Sequence, residues 1–170
     1  MGQEKQYAYN SVAGSDWGYA TMTIASASNA NIKQAVPFFG VTNMEASLRF
    51  YVDGLGFEMK RWWVPDSEDN DYIHDGRVRW CWLQRGDVAI MLQEFLPERR
   101  PKETLGTGTS VCFTCEDALA LYQEFKSRGI QTRKPTVGNR LWVVPLTDPD
   151  GYRIEFNSPT DAPEESELDE

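Results

Sequence analysis

With 170 residues, 41% of them hydrophobic, the chain fits one domain or two small fused modules with a core, and no apolar run approaches the roughly 20 residues of a membrane span. The net charge of −9 excludes a nucleic-acid footprint, which is basic. Six of the 26 acids and none of the 17 Lys and Arg fall in the tail from Asp161, so the rest carries only −3, too little for a general field that gathers cations.

Residues 1–33 are rich in Ser, Ala, Asn and Gly and read as an extension outside the main core. Tyr7, Tyr9, Trp17 and Tyr19 are its candidate anchors, and Met1 to Gln6 lack the pattern of a secretory leader. The three cysteines, Cys81, Cys112 and Cys115, form no even framework. They are expected to be reduced thiols that fill the core of a cytoplasmic protein.

Ala35 to Val41 predicts a strand. Thr42-Asn43 then offers a helix cap, with Glu45 in the first turn. Ala46, Leu48, Tyr51, Val52 and Leu55 recur at helical spacing until Gly54 and Gly56 end the helix. Strands are expected at Phe57 to Val64, Val78 to Leu83 and Val88 to Glu94, with a polar loop from Pro65 that carries the chain's one histidine, His74. Leu96 to Gly108 holds two prolines and two glycines and reads as a linker.

The second half repeats the first. Thr109 to Cys115 predicts a strand, and Glu116 and Asp117 open a helix with Ala118, Leu119, Tyr122 and Phe125 that Gly129 ends. Ile130 to Val137, Arg140 to Pro145 and Tyr152 to Asn157 are expected strands, the first two joined at Gly138-Asn139. Asp148-Pro149-Asp150-Gly151 is a strong turn signal, and after it Tyr152, Ile154 and Phe156 alternate with Arg153, Glu155 and Asn157. Each half is strand, helix, three strands. This self-similarity is the strongest fold evidence in the chain.

Two stretches carry a resemblance. They are Asn43 to Tyr51 followed by Gly54-Leu55-Gly56-Phe57, and Asp148 to Phe156. In them the chain resembles the vicinal oxygen chelate superfamily of glyoxalase I, extradiol dioxygenases and bleomycin-resistance proteins, over about residues 35–159. The resemblance implies an α+β fold of paired βαβββ modules, a cupped mixed sheet around a cleft, and a homodimer. The expected organisation is an extension (1–33), modules 34–96 and 108–159, and an acidic tail (160–170).

Metal-dependent members take four ligands from the first and last strands of each module. By that resemblance the corresponding positions are Val36, Met91, Ser110 and Glu155. A branched alkyl, a thioether, a neutral hydroxyl and one carboxylate do not make a site for a hard divalent ion. His74 lies off the pattern and reads as an exposed loop residue. No metal, no cofactor and no catalytic residue are therefore expected. Trp80 to Leu92 and Glu116 to Gln131 look like the metal-free bleomycin-resistance branch, whose members sequester a drug at the dimer interface.

Strand alternation supports a cleft on its own. Ile90, Leu92, Val111, Phe113, Ile154 and Phe156 suit the helix side; Phe38, Met91, Ser110, Cys112 and Glu155 face the other way. Trp80 and Trp82 share one face, and Trp62 and Trp63 cannot both be core. The expected ligand-binding set is Phe38, Trp63, Trp80, Trp82, Met91, Ser110, Trp142 and Glu155, taking a planar or cationic small molecule. Arg77, Arg79, Arg140 and Arg153 read mainly as surface charges that could pair with Glu155 or bind an anionic ligand. A metal-dependent lyase or oxidoreductase is the alternative reading. A regulatory module that uses the acidic tail is the third.

Overall fold

The computed structural model describes residue 31, residues 33–65 and residues 75–169. The extension to residue 30 and the loop with His74 lie outside these, and so do the expectations placed on them. The unit from Ala35 onward is built of two modules. The first runs β1 (Phe38–Val41), α1 (Met44–Leu48), a π-helical continuation (Arg49–Gly54), β2 (Glu58–Trp63), β3 (Trp80–Arg85) and β4 (Val88–Glu94). A short 3-10 turn (Pro97–Arg99) leads to β5 (Ser110–Thr114), α2 (Ala118–Ser127), β6 (Thr136–Gly138), β7 (Leu141–Thr147) and β8 (Arg153–Pro159).

The two sheets have the same plan. Their orders are β1-β4-β3-β2 and β5-β8-β7-β6, and in each the first strand pairs in parallel with the last while the other pairs are antiparallel. This is the α+β arrangement of paired βαβββ modules that the internal repeat predicts. The caps repeat as well: Asn43 accepts from the Ala46 N–H at 3.1 Å and Asp117 from the Ala120 N–H at 2.9 Å. Both sheets turn one face toward a single core that holds Tyr51, Leu55, Phe57, Leu92, Phe125, Ile154 and Phe156. Tyr51, Phe57 and Phe125 are its largest fully buried side chains, each contributing about 2–3 kcal/mol of apolar burial.

The turn Asp148 to Gly151 ties the modules together. Asp148 Oδ1 accepts from the N–H groups of Asp150 and Tyr152, at 2.9 and 2.8 Å, which closes the turn. Gly151 takes φ +91°, which an L side chain resists. The other Asp148 oxygen accepts from the Tyr51 hydroxyl at 3.0 Å, and Asp150 accepts from the Thr42 N–H and, at 2.6 Å, its hydroxyl. Tyr152 stacks on Phe39 with centroids 4.0 Å apart and donates to the Gly40 carbonyl at 3.1 Å.

Three expectations need correction. Ile130 to Val137 is strand only at Thr136–Gly138, because β7 offers β6 just three residues of ladder. The β6–β7 turn is Asn139-Arg140, both left-handed at φ 53° and 60°, and Gly138 belongs to the strand. Arg79 is buried and not a surface charge: it pairs with Glu94 and, at 2.7 Å, with Asp75. The acidic tail docks along β6. Ser166 O accepts from Val137 N–H and Pro135 O from Leu168 N–H, Glu167 bridges to Thr136, and Leu168 packs against the core.

Candidate functional site

Each sheet has a second face turned away from the core. Residues opposite one another in a ladder share a face, so the register gives this surface row by row. On the first sheet one row is Phe38, Met91, Trp82 and Arg61, and the next is Gly40, Gln93, Trp80 and Trp63. The bulge between Met59 and Arg61 sets Trp63 in phase with Trp80, and Trp62 is thrown to the other face. Trp63, Trp80, Trp82 and Met91 are half-buried, and Phe38 is 54% exposed. Three indoles, a phenyl ring and a thioether thus share one accessible face, between the carboxamide of Gln93 and the guanidinium of Arg61.

Beside β1 and β4 this face runs into a hollow of about 380 Å³, lined by Phe38, Gly40, Gln93, Phe95 and Leu96. Phe95 lies over Gly40 so closely that a Cβ there would stand 2.1 Å from its ring. Phe95 was not among the expected site residues, because it follows the strand and has no place in its alternation. The one sequence signal for it is Gly40, a missing side chain in mid-strand where something approaches closely.

The second sheet's open face is polar. Its rows are Ser110, Arg153 and Thr147; Cys112, Glu155 and Pro145; and Thr114, Asn157, Val143 and Thr136. Ser110 is exposed and Glu155 half-buried. Cys112 is exposed and does not fill the core, unlike Cys81, whose thiol burial pushes up to about 12. The Cys112 thiol donates to Glu155 Oε2 at 3.4 Å, and burial and then the carboxylate raise it above its ordinary value. A hollow of about 520 Å³ opens beside Glu155 and Arg153, walled by Thr132 and Arg133.

Trp142 is the one expected site residue that lies on the core side of its sheet. It stands in the row of Ser158 and Val137, both buried, and packs against the core. The other seven lie on open faces, five on the first sheet and two on the second.

The metal positions implied by the resemblance do not fit a hard divalent ion. Val36 offers no lone pair, Met91 stands opposite Phe38, and Glu155 stands opposite Cys112. Among the described residues no three His, Cys, Asp or Glu side chains come together.

Two modules of this plan, joined through one core and with a ring-lined open sheet face, define a class. The chain belongs to the Glyoxalase/Bleomycin resistance protein/Dioxygenase superfamily, whose family model matches residues 32–156. The fold recurs in a bleomycin-binding protein solved with bleomycin, 23% identical over 77% of this chain and all of that one, with a TM-score of 0.53. It recurs in the bleomycin resistance determinant encoded on transposon Tn5, 22% identical over 77% of this chain and all of that one, TM-score 0.56. TnmS3, an antibiotic binding protein from Streptomyces sp. CB03234, is 22% identical over 78% of this chain and all of its own, TM-score 0.56. No curated protein matches the chain.

Proposed function

We propose that this chain is a metal-free binding protein that sequesters a planar or cationic, antibiotic-like small molecule and acts in the cytoplasm as a homodimer. The observation that carries this reading is the shared face of Trp63, Trp80, Trp82, Phe38 and Met91 on the first sheet. Flat indoles at strand spacing stack on planar guests and attract cations, and Gln93 and Arg61 supply directional polar contacts. The bleomycin-bound relative gives the reading its precedent within the fold. A second copy is the natural cover for this face, because Phe38 on the edge strand is an apolar ring more than half exposed. Ser110 and Glu155 of the second sheet would complete the guest's surroundings.

Intrinsic tryptophan fluorescence is the test. Titration with a panel of planar and glycopeptide antibiotics is expected to give saturable quenching at one guest per protomer, with sedimentation giving a dimer mass. Tight stoichiometric binding of Mn²⁺, Ni²⁺, Fe²⁺ or Zn²⁺, measured by elemental analysis after dialysis, would sink the reading in favour of a metal-dependent lyase or oxidoreductase.

A further inference from the structure

The hollow on the second sheet has a charge pattern that stacking on the first sheet does not explain. Two guanidiniums line it: Arg153 on β8, and Arg133 on the extended segment ahead of β6. Among the described residues neither side chain makes an ion pair or a hydrogen bond. Six other arginines are ion-paired: Arg49 and Arg77 with Glu45, Arg79 with Glu94 and Asp75, Arg85 and Arg128 with Glu124, and Arg140 with Asp161. Arg61 and Arg100 also lack an ion pair among the described residues, but only Arg133 and Arg153 share one concavity. Two exposed guanidiniums that line one hollow favour an anion between them.

The surroundings suit an oxyanion. Thr147 and Ser110 are the ladder neighbours of Arg153, and Thr147 lines the hollow with it. Gln131 adds a carboxamide at the rim. Glu155 lines the same hollow, but it is one carboxylate against two guanidiniums, and the Cys112 S–H already donates to it. Guanidinium forks match carboxylate, phosphate and sulfate oxygens in pairs, which a point charge does not.

We infer that this hollow binds an oxyanionic group, a carboxylate, phosphate or sulfate, between Arg133 and Arg153. Resting on the binding reading above, this narrows the guest: a planar ring system for the first sheet's indoles, carrying an acid group for the second sheet's arginines. Glu155, beyond Arg153 on the same strand face, then favours a hydrogen-bond donor on the guest next to its acid.

Calorimetric titration of the full chain with inorganic phosphate and with benzoate, in low-salt buffer, tests this directly. One saturable site per chain is expected. Arg153→Gln and Arg133→Gln should each weaken binding by about tenfold, the loss of one charge-assisted contact. Glu155→Gln should tighten it, because a like charge leaves the hollow. Arg140→Gln, an exposed arginine of the same module that is paired with Asp161, should change nothing. No saturable binding, or an equal loss in Arg140→Gln and Arg153→Gln, would overturn the inference, the second outcome by reducing it to general surface charge. Preference for benzoate over phosphate would mark a carboxylate guest, and the reverse a phosphorylated or sulfated one. Tryptophan quenching separates the two readings. Anion binding with no ring guest quenching retires the sequestration proposal alone. Quenching by neutral ring guests with no anion binding retires this one alone.

Discussion

Tyr51 and Asp148 meet in the core, the phenol donating to the carboxylate at 3.0 Å from opposite modules. Tyr51 is fully buried and Asp148 is 4% exposed. Burial, and then Asp148 itself, raise the Tyr51 hydroxyl above its ordinary value, so it stays a donor throughout the useful pH range. Tyr51→Phe keeps the ring and removes one of the carboxylate's three donors. The expected cost is about 1–3 kcal/mol, read as a lower urea midpoint at unchanged slope. An unchanged midpoint would mean that this hydrogen bond adds nothing to the junction.

The same carboxylate gives a pH dependence. Burial raises Asp148 above its ordinary value even though backbone donors and Tyr51 pull the other way. The folded chain therefore keeps this proton to higher pH than the unfolded chain does. Asp148's contribution to stability is full below its unfolded value and is lost as pH rises through the raised one. Asp148→Asn keeps an oxygen for the Asp150 and Tyr152 N–H groups but has no proton to lose. The melting temperature of the native chain minus that of the variant should be largest near about pH 4 and fall toward neutral pH. A difference that grows with pH would reverse the assignment.

Arg79 and Glu94 form the buried ion pair of the first module, their side chains 10% and 6% exposed. Glu94 also receives the Met44 N–H at the start of α1, at 3.4 Å. Arg79→Met leaves that carboxylate buried without its counter-charge, at an expected cost of about 3–5 kcal/mol. Adding Glu94→Gln removes the stranded charge and keeps an acceptor for Met44. The double variant should therefore melt higher than Arg79→Met alone; a lower, additive melt would show that the pair contributes little as a pair.

Local chemistry made much of the fold legible, and the misses have physical causes. Asn43, Asp117 and the Asp148 to Gly151 turn each satisfy their own backbone, so their positions read directly from residue type. In β8 polar and apolar residues alternate cleanly, and the face of Glu155 follows. In β7 they do not: Leu141, Val143 and Pro145 are as apolar as Trp142, Val144 and Leu146. No alternation remains to place Trp142, and only pairing with Ser158 shows it on the core side. The tail's docking was illegible because its bonds to residues 135–137 are largely main-chain, while its side chains read as a solvated acidic run.

That docked tail covers β6, the edge of the second sheet. Glu164 also caps the left-handed turn, accepting from the Asn139 and Arg140 N–H groups at 3.0 and 2.7 Å. Deleting residues 163–170 removes these bonds and the apolar contact of Leu168, at an expected cost of about 1–2 kcal/mol. It also bares an edge strand that can pair with another chain. The truncated chain should melt lower and show concentration-dependent association beyond the native oligomer by light scattering. Full stability on truncation would make the tail a passenger.

The tryptophans separate guest binding from stability. Trp80 and Trp82 stand on the open face, opposite Gln93 and Met91. Truncating either to Ala removes a stacking surface while Cys81 and Leu83, the core-facing residues between and beside them, stay in place. Guest affinity should drop by about tenfold for each, about 1.4 kcal/mol, with little change in melting temperature. Trp142→Ala should do the opposite. It opens space beside Val137 and Ser158 under the second sheet, and a half-buried indole lost there costs about 2 kcal/mol of stability while affinity holds within about twofold. Quenching titrations and thermal melts on the three variants check both halves. If Trp142→Ala weakened the guest as much as Trp82→Ala, the guest would have to reach the helix side of the second sheet, and the open-face assignment would fail.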